Sequence, residues 1–275
     1  MIILNKSDIL YKMAEYTLIT GATGGIGEEF CFQCAARGDN LFLTGRSEKK
    51  LAALKEKLKE KYPDAVTESF PCMLNDEADR KKLFDYADGL GAKFSRFINV
   101  AGVDTQLAFE KYTQEKLLFQ LRVNFEAAVS LTRYVLDRRA DGLGILVVSS
   151  MSAVCPMPYF ALYSATKSAL VNFYSALRTE MKEYGVKVTV LMPGGVPTRP
   201  DIIEDIKIQG LKGKWSSKPK DFVVRKALKG AEKNKRIVIP GFANKLTYAL
   251  TRITPVKWAI AFVAKNWKNK EKDAF

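Results

Sequence analysis

The stretch "LITGATGGIGEEF", Leu18 to Phe30, decides how this chain is read. An apolar run stops at Thr20, glycines follow, and a second apolar pattern begins at Ile26. That order reads as a strand, a tight turn and the start of a helix. Glycine lets a backbone approach a pyrophosphate closely, and the N–H groups that open a helix face the negative charge. The turn can be read in two registers. One uses Gly21, Gly25 and Gly27; the other uses Gly21, Gly24 and Gly27. The turn does not choose between them, so the choice has to come from the rest of the chain.

The chain has 275 residues, of which 47% are hydrophobic, enough for one large α/β domain with a sizeable core. There is no internal repeat, and no apolar run approaches the roughly 18 residues of a spanning helix. The N-terminal "MIILNKSDILYKMAEYTLIT" lacks the basic start, apolar middle and small-residue end of a signal peptide. No histidine is present, which excludes histidine general bases and histidine-ligated zinc; no metal site is expected. Cys31 and Cys34 have redox or metal spacing. They lie inside the helix that the glycine turn opens, and read as two small apolar residues one turn apart.

The net charge of +14 is unevenly placed. Residues 1–198 carry 25 Lys+Arg against 23 Asp+Glu, whereas residues 199–275 carry 19 against 7, a net of +12. Nucleic acid, an anionic membrane surface and an anionic substrate carrier are all compatible with such a segment.

Strands are predicted at Tyr16–Thr20, Asn40–Thr44, Val66–Phe70, Arg96–Val100, Ile145–Ser149, Val186–Leu191 and Arg236–Ile239. Amphipathic stretches alternate with them. The longest predicted helices are "YTQEKLLFQLRVNFEAAVSLTRYVLDRR" and "YFALYSATKSALVNFYSALRTEMKEY". This alternation argues for an α/β fold: a doubly wound, mostly parallel sheet of about seven strands, with helices on both faces. In such sheets ligands lie beyond the carboxyl ends of the strands, where the chemistry should be.

At the end of the second strand, "LFLTGRSEKK", Thr44 and Gly45 stand where an acidic residue would meet a ribose 2′-hydroxyl. Arg46 follows, and can pair with a 2′-phosphate, which favours NADP(H) over NAD. The fourth strand ends at Asn99, Ala101 and Gly102, small enough for an adenosine to lie against the sheet. The fifth ends at Ser149 and Ser150, with Tyr163 and Lys167 following in "YSATKSAL". The sixth ends "VLMPGGVPT", where Thr198 could reach a nicotinamide carboxamide.

Taken in order, these elements resemble a compact short-chain dehydrogenase/reductase of NADP-preferring type. The elements are Thr20-Gly21-x-x-x-Gly25-x-Gly27, Asn99-x-Ala101-Gly102, Asn124, Ser150, Tyr163-x-x-x-Lys167 and Pro193-Gly194-x-x-x-Thr198. A second Tyr-x-x-x-Lys, Tyr112 and Lys116, has Asn99 thirteen positions upstream, whereas Tyr163 has Ser150 there. The resemblance selects the register Gly21, Gly25, Gly27 and implies a Rossmann-type domain over residues 14–240. The segment at about 194–220 would close the substrate side. Residues 241–275 are then a basic amphipathic helical tail.

The resemblance implies roles residue by residue. Gly21, Thr23, Gly25, Ile26 and Gly27 would hold the pyrophosphate, Arg46 the 2′-phosphate, and Leu74, Asn99, Ala101 and Gly102 the adenosine side. Pro193, Gly194, Val196 and Thr198 would lie at the nicotinamide, with Tyr163 and Lys167 at its ribose. Tyr163 would be the general acid or base. Tyrosine and lysine four apart share a helix face, and a nearby ammonium would pull the phenol's pKa down from about 10. Ser150 would hold the substrate oxygen, and Asn124 would position a water linking Lys167 to solvent. Met73 stands where the family often has an adenine-binding aspartate, leaving adenine to apolar contact and the backbone of Leu74.

The substrate side offers Val103, Ser150, Cys155, Tyr159 and Tyr163, a mainly apolar set that suits a small lipophilic carbonyl compound or its alcohol. A dinucleotide-binding sensor without turnover, and a sugar-nucleotide epimerase, are the alternatives. The resemblance suggests a homodimer or homotetramer. In the tail, apolar residues from Val256 to Trp267 are flanked by Lys257, Lys265 and Lys268. Such a segment fits peripheral contact with an anionic membrane, or packing on its own domain or a second subunit; nucleic acid is disfavoured. The expected location is cytoplasmic, with that peripheral contact.

Overall fold

Seven short runs of alternating or continuous apolar residues form seven strands in the computed structural model, which describes residues 15–208 and 210–268. The expected domain start at residue 14, the N-terminal stretch and tail residues 269–275 lie outside the described residues. The strands are β1 (Glu15–Thr20), β2 (Asn40–Gly45), β3 (Thr67–Pro71), β4 (Lys93–Asn99), β5 (Arg139–Val148), β6 (Lys187–Leu191) and β7 (Ile237–Val238). They form one sheet in the order β3-β2-β1-β4-β5-β6-β7. Every neighbouring pair is parallel, as for Leu18 opposite Phe42 and Phe97 opposite Ile145.

The two-residue period of a strand divides the core into two layers. Leu18, Phe42 and Phe97 point to one side, among Leu131, Tyr134, Leu170 and Tyr174. Their chain neighbours Ile19, Leu41, Leu43 and Ile98 point to the other, among Phe30, Leu51, Leu54, Val224 and Leu228. Strands covered on both faces are what crossover helices produce.

The helices, in chain order, begin with α1 (Gly25–Ala35), α2 (Glu48–Lys61), α3 (Glu77–Gly89), α4 (Gln114–Leu121), α5 (Ala127–Asp137) and α6 (Ala161–Glu180). There follow α7 (Pro200–Ile208), α8 (Gly210–Ser216), α9 (Lys220–Glu232), α10 (Phe242–Ile253) and α11 (Val256–Trp267). Local chemistry sets their ends. The Ser47 hydroxyl accepts from the Lys50 N–H at the start of α2, and the Asp76 carboxylate from the Asp79 N–H at the start of α3. Pro255 separates α10 from α11, because the residue before a proline resists the helical conformation.

One predicted helix differs. The run from Tyr112 to Arg139 does not continue as a regular helix. Between α4 and α5 it makes a π-helical turn, Arg122–Glu126, with the fully buried Asn124 at its centre. Such single turns recur at functional sites, because the extra residue re-aims side chains that a 3.6-residue period would place elsewhere.

Strand order reverses at β1, whose neighbours are β2 and β4. The crevice beyond the carboxyl ends of β1 and β4 is therefore the ligand position the topology provides.

Candidate active site

The turn after β1 is shaped by close approach. Gly21 has φ of +62°, a left-handed conformation, and a Cβ there would stand 3.0 Å from the Ala101 backbone. A Cβ on Gly25 would meet Thr198 Cβ at 2.6 Å, and one on Gly27 would overlap the Gly21 carbonyl oxygen. Gly24 is different: it is exposed, has an ordinary extended φ, and a Cβ would meet only Gly21 O at 3.4 Å. The register is thus decided by packing, against the distant Ala101 and Thr198 as well as within the turn, with Gly21, Gly25 and Gly27 as the glycines that cannot change. Gly24→Ala should keep dinucleotide affinity within about twofold, whereas Gly27→Ala should lose it by about a hundredfold or more, read by fluorescence titration of NADPH.

A cavity of about 1270 Å³ opens from this turn along the strand ends. Gly21, Thr23, Gly25, Ile26, Gly27, Arg46, Leu74, Ala101 and Gly102 line one half, and Pro193, Gly194, Val196 and Thr198 lie further along. Ser150, Tyr163 and Lys167 open onto it, with Val103 and Cys155.

Asn99 does not line the cavity. It lies beneath the floor, where Thr20 Oγ1 donates to Asn99 Oδ1 at 2.7 Å while accepting from the N–H groups of Val100 and Ala101, each at 3.1 Å. Its role is to hold the β1 and β4 ends together. Leu74 lines the cavity, but its carbonyl already accepts from Arg80 Nη1 at 2.6 Å, so only its N–H side remains for a ligand.

Lys50 and Asn75 are among the lining residues that were not foreseen. Lys50 shares the cavity rim with Arg46, both exposed and neither carrying an ion pair among the described residues. The signal was one helical turn past Arg46, in a run of lysines that reads as a solvated face. Asn75 lines the same end, and its buried Oδ1 has no partner among the described residues. A glycine cradle with no room for side chains, two unpaired cations and an orphaned acceptor fit an adenine dinucleotide bearing a 2′-phosphate.

The catalytic candidates converge. Ser150 follows β5 and opens onto the cavity with Tyr163, whose pKa it acts to lower. The Ser152 N–H donates to Ser150 Oγ at 3.1 Å, fixing the rotamer. Lys167, one turn beyond Tyr163 on α6, is buried, and its Nζ donates to the Val148 carbonyl at 3.0 Å. A Cβ on Gly102 would stand 3.0 Å from that Nζ, so glycine is what lets the ammonium reach beneath the β4 loop. Ser149 Oγ donates to the Lys167 carbonyl at 2.8 Å, locking α6 to the end of β5.

Asn124 does not reach the cavity. Its Oδ1 accepts from the Val103 N–H at 2.7 Å, and its Nδ2 donates to the Val103 carbonyl at 2.9 Å and to Thr166 Oγ1 at 3.1 Å. The side chain is therefore committed to holding the β4 loop against α6. The other Tyr-x-x-x-Lys pair plays no part in the cavity: Tyr112 Oη donates to the Thr105 carbonyl at 2.7 Å.

The electrostatics depart from expectation. Burial pushes the Tyr163 phenol well above its ordinary value, and the Asp104 carboxylate adds to this; Ser150 and Arg199 act the other way. The same burial depresses Lys167 to about 8, partly offset by Asp104. Desolvation penalises both charged forms, and outweighs the pull of an ammonium whose hydrogen bond goes to Val148. Tyr163 is thus a neutral phenol at physiological pH, the form that can give a proton.

With this geometry in place, the sequence profile described as "short chain dehydrogenase" matches residues 15–203. The chain belongs to the short chain dehydrogenase family. The chain is 32% identical over 183 residues to an 11-beta-hydroxysteroid dehydrogenase-like 2 from Arabidopsis thaliana, a match covering 66% of the chain and 59% of the relative. It is 31% identical over 188 residues to a very-long-chain 3-oxoacyl-CoA reductase from Neurospora crassa, covering 66% and 56%. The match thus spans somewhat over half the length of these relatives. Among solved structures, a 7beta-hydroxysteroid dehydrogenase superposes with a TM-score of 0.81 at 24% identity, covering 93% of this chain and 98% of that one. A short-chain dehydrogenase from Sphingobium yanoikuyae in complex with NADPH gives 0.72 at 24% identity, covering 88% and 96%.

The far wall of the cavity is apolar and comes largely from the tail. Thr247, Leu250, Trp258, Ala259, Phe262, Val263 and Trp267 of α10 and α11 line it, facing Met157 and Phe160. The Tyr163 ring stacks on Phe160 with centroids 4.4 Å apart, and Phe160 stacks on Trp267 at 5.6 Å. The tail therefore packs on its own domain, over the cavity, which is one of the readings its sequence left open. Tyr159 does not line the cavity. Its φ of +64°, rare for a side chain of this size, turns the chain so that Phe160 faces inward in its place.

Proposed function

We propose that the protein is an NADP(H)-dependent oxidoreductase that interconverts a lipophilic ketone or 3-oxoacyl compound and its alcohol. The observation that carries this reading is the joining of two unlike halves in one cavity. A glycine-lined, cation-rimmed cradle meets an apolar wall where Ser150 and Tyr163 both open onto the cavity. Relatives named for hydroxysteroids and 3-oxoacyl-CoA, and a fold relative in complex with NADPH, support the substrate and cofactor classes.

The cofactor would supply the hydride. The chain's own part is binding, orientation and proton transfer. Gly21, Gly25 and Gly27 let the backbone approach the pyrophosphate, while Arg46 and Lys50 would meet the 2′-phosphate. Ser150 Oγ would hold the carbonyl oxygen against Tyr163 Oη. Tyr163 Oη would then give its proton to that oxygen on reduction and take it back on oxidation. Lys167 would place its ammonium below the ribose and restore the proton of Tyr163 through it. The apolar wall from α10 and α11 would exclude water and accept the body of the substrate.

The test is NADPH consumption with a panel of bulky apolar ketones and 3-oxoacyl thioesters. Turnover on at least one is expected; none on any would favour the silent dinucleotide-binding alternative. Arg46→Asp should raise the KM for NADPH about tenfold to a hundredfold while leaving that for NADH within a few-fold. An unchanged NADPH value would remove the 2′-phosphate assignment. On this reading the enzyme works as a peripheral protein at an anionic membrane surface, held there by the tail.

A further inference from the structure

Helices α10 and α11 cover the cavity with one side and leave the other uncovered. Among the described residues, seven of the fifteen exposed large apolar side chains belong to these two helices. Phe242, Leu246, Leu250 and Ile253 follow the spacing of one helix face, and Phe242 and Ile253 are 77% and 79% exposed. Trp258 and Phe262, four apart on α11, are 64% and 60% exposed. Three of these side chains, Leu250, Trp258 and Phe262, also line the cavity. The rim of the cavity and the uncovered face are therefore one continuous surface.

Its charge says what covers it. Residues 242–268 contain five basic side chains, Lys245, Arg252, Lys257, Lys265 and Lys268, and no acidic one. A second copy using the same face would set these cations against their equivalents with no carboxylate to pair them. Anionic lipid headgroups neutralise them while the acyl region takes up the aromatic and aliphatic side chains, with lysine stems reaching outward and tryptophan at the boundary. Each helix is 12 residues long, and no described helix is long and apolar enough to cross a membrane. The pair suits a position in the plane of the interface.

We propose that α10 and α11 dock on an anionic bilayer and open the substrate cavity directly to it, so that a lipid-dissolved substrate passes between Leu250, Trp258 and Phe262 to Tyr163 without crossing water. This deepens the reading of a lipophilic substrate and rests on it. It makes two separable claims, binding and access.

Binding is read by sedimentation of the full-length protein with vesicles of phosphatidylcholine, alone or mixed with phosphatidylserine. Pelleting is expected only with the anionic vesicles, and should fall at high salt. Phe242→Asp and Ile253→Asp, both outside the cavity lining, should each weaken it about tenfold. Equal pelleting of these variants, indifference to phosphatidylserine, or a lipid-free dimer that the variants dissociate would overturn the docking. Access is read by kinetics. For an apolar ketone presented in anionic vesicles the two variants should raise KM about tenfold, and for a water-soluble ketone KM and kcat should stay as in the wild type. Matching vesicle and solution kinetics would overturn the access claim even where docking holds. A protein that pellets as expected but turns over nothing fails the enzymatic reading instead, so the failures are distinguishable.

Discussion

Tyr163→Phe will lower kcat for ketone reduction on the order of a thousandfold while leaving NADPH affinity within about twofold. The substitution removes one hydroxyl and keeps the ring, so the stack on Phe160 and through it the contact with Trp267 survive. What disappears is the phenol that, on the proposed mechanism, serves a substrate oxygen held by Ser150. Ser150 cannot replace it: its pKa as an alcohol is far higher, and its role is to hold rather than to give. Burial and Asp104 keep Tyr163 protonated, so its donor form persists through neutral pH in the protein alone. Single-turnover kinetics with fluorescence titration of NADPH separates the two quantities. Turnover within tenfold of wild type would show that the proton comes from elsewhere.

Most of this arrangement could be read from the sequence because strand ends are marked locally. Thr20, Gly45, Asn99, Val148 and Leu191 each stop or lie beside the end of an apolar run, and the parallel sheet brings those ends together. The order Ser150, Tyr163, Lys167 then needs only one helix and one strand to converge. What escaped depends on contacts between distant segments. Asn99 was expected on the adenosine side and Asn124 at a water behind Lys167; their side chains bond Thr20, and Val103 with Thr166, respectively. Nothing in the local sequence says which partner a buried amide will find. The π turn around Asn124 was hidden because its residues are ordinary helix formers. The direction of the Tyr163 shift was misjudged for a related reason: sequence spacing gives proximity to Lys167, whereas the sign is set by how dry the site is. The tail's sequence reads as amphipathic, but helical periodicity does not show that one side closes over Tyr163's own cavity.

Lys167→Met is expected to abolish turnover and to reverse part of the stability ranking with pH. Lys167 is buried, and its pKa falls from 10.5 to about 8. Between these values the unfolded chain holds the proton and the folded protein does not, so stability rises with pH across that window. Below about pH 8 the fold carries the full cost of a buried ammonium, about 3 kcal/mol by the size of the shift, and above about 10.5 it carries none. Methionine has a similar length and no charge to desolvate, so the variant escapes that cost. It gives up the hydrogen bond to the Val148 carbonyl, a loss that does not vary with pH. Comparing two pH values cancels the constant losses. Relative to Lys167→Met, the wild type should gain about 2 kcal/mol between pH 7 and pH 9.5, measured by guanidinium unfolding without cofactor. Parallel curves would mean that Lys167 is not desolvated as its place beneath Gly102 requires. On the proposed mechanism the lysine is held at this cost in stability for the cation it would place under the ribose.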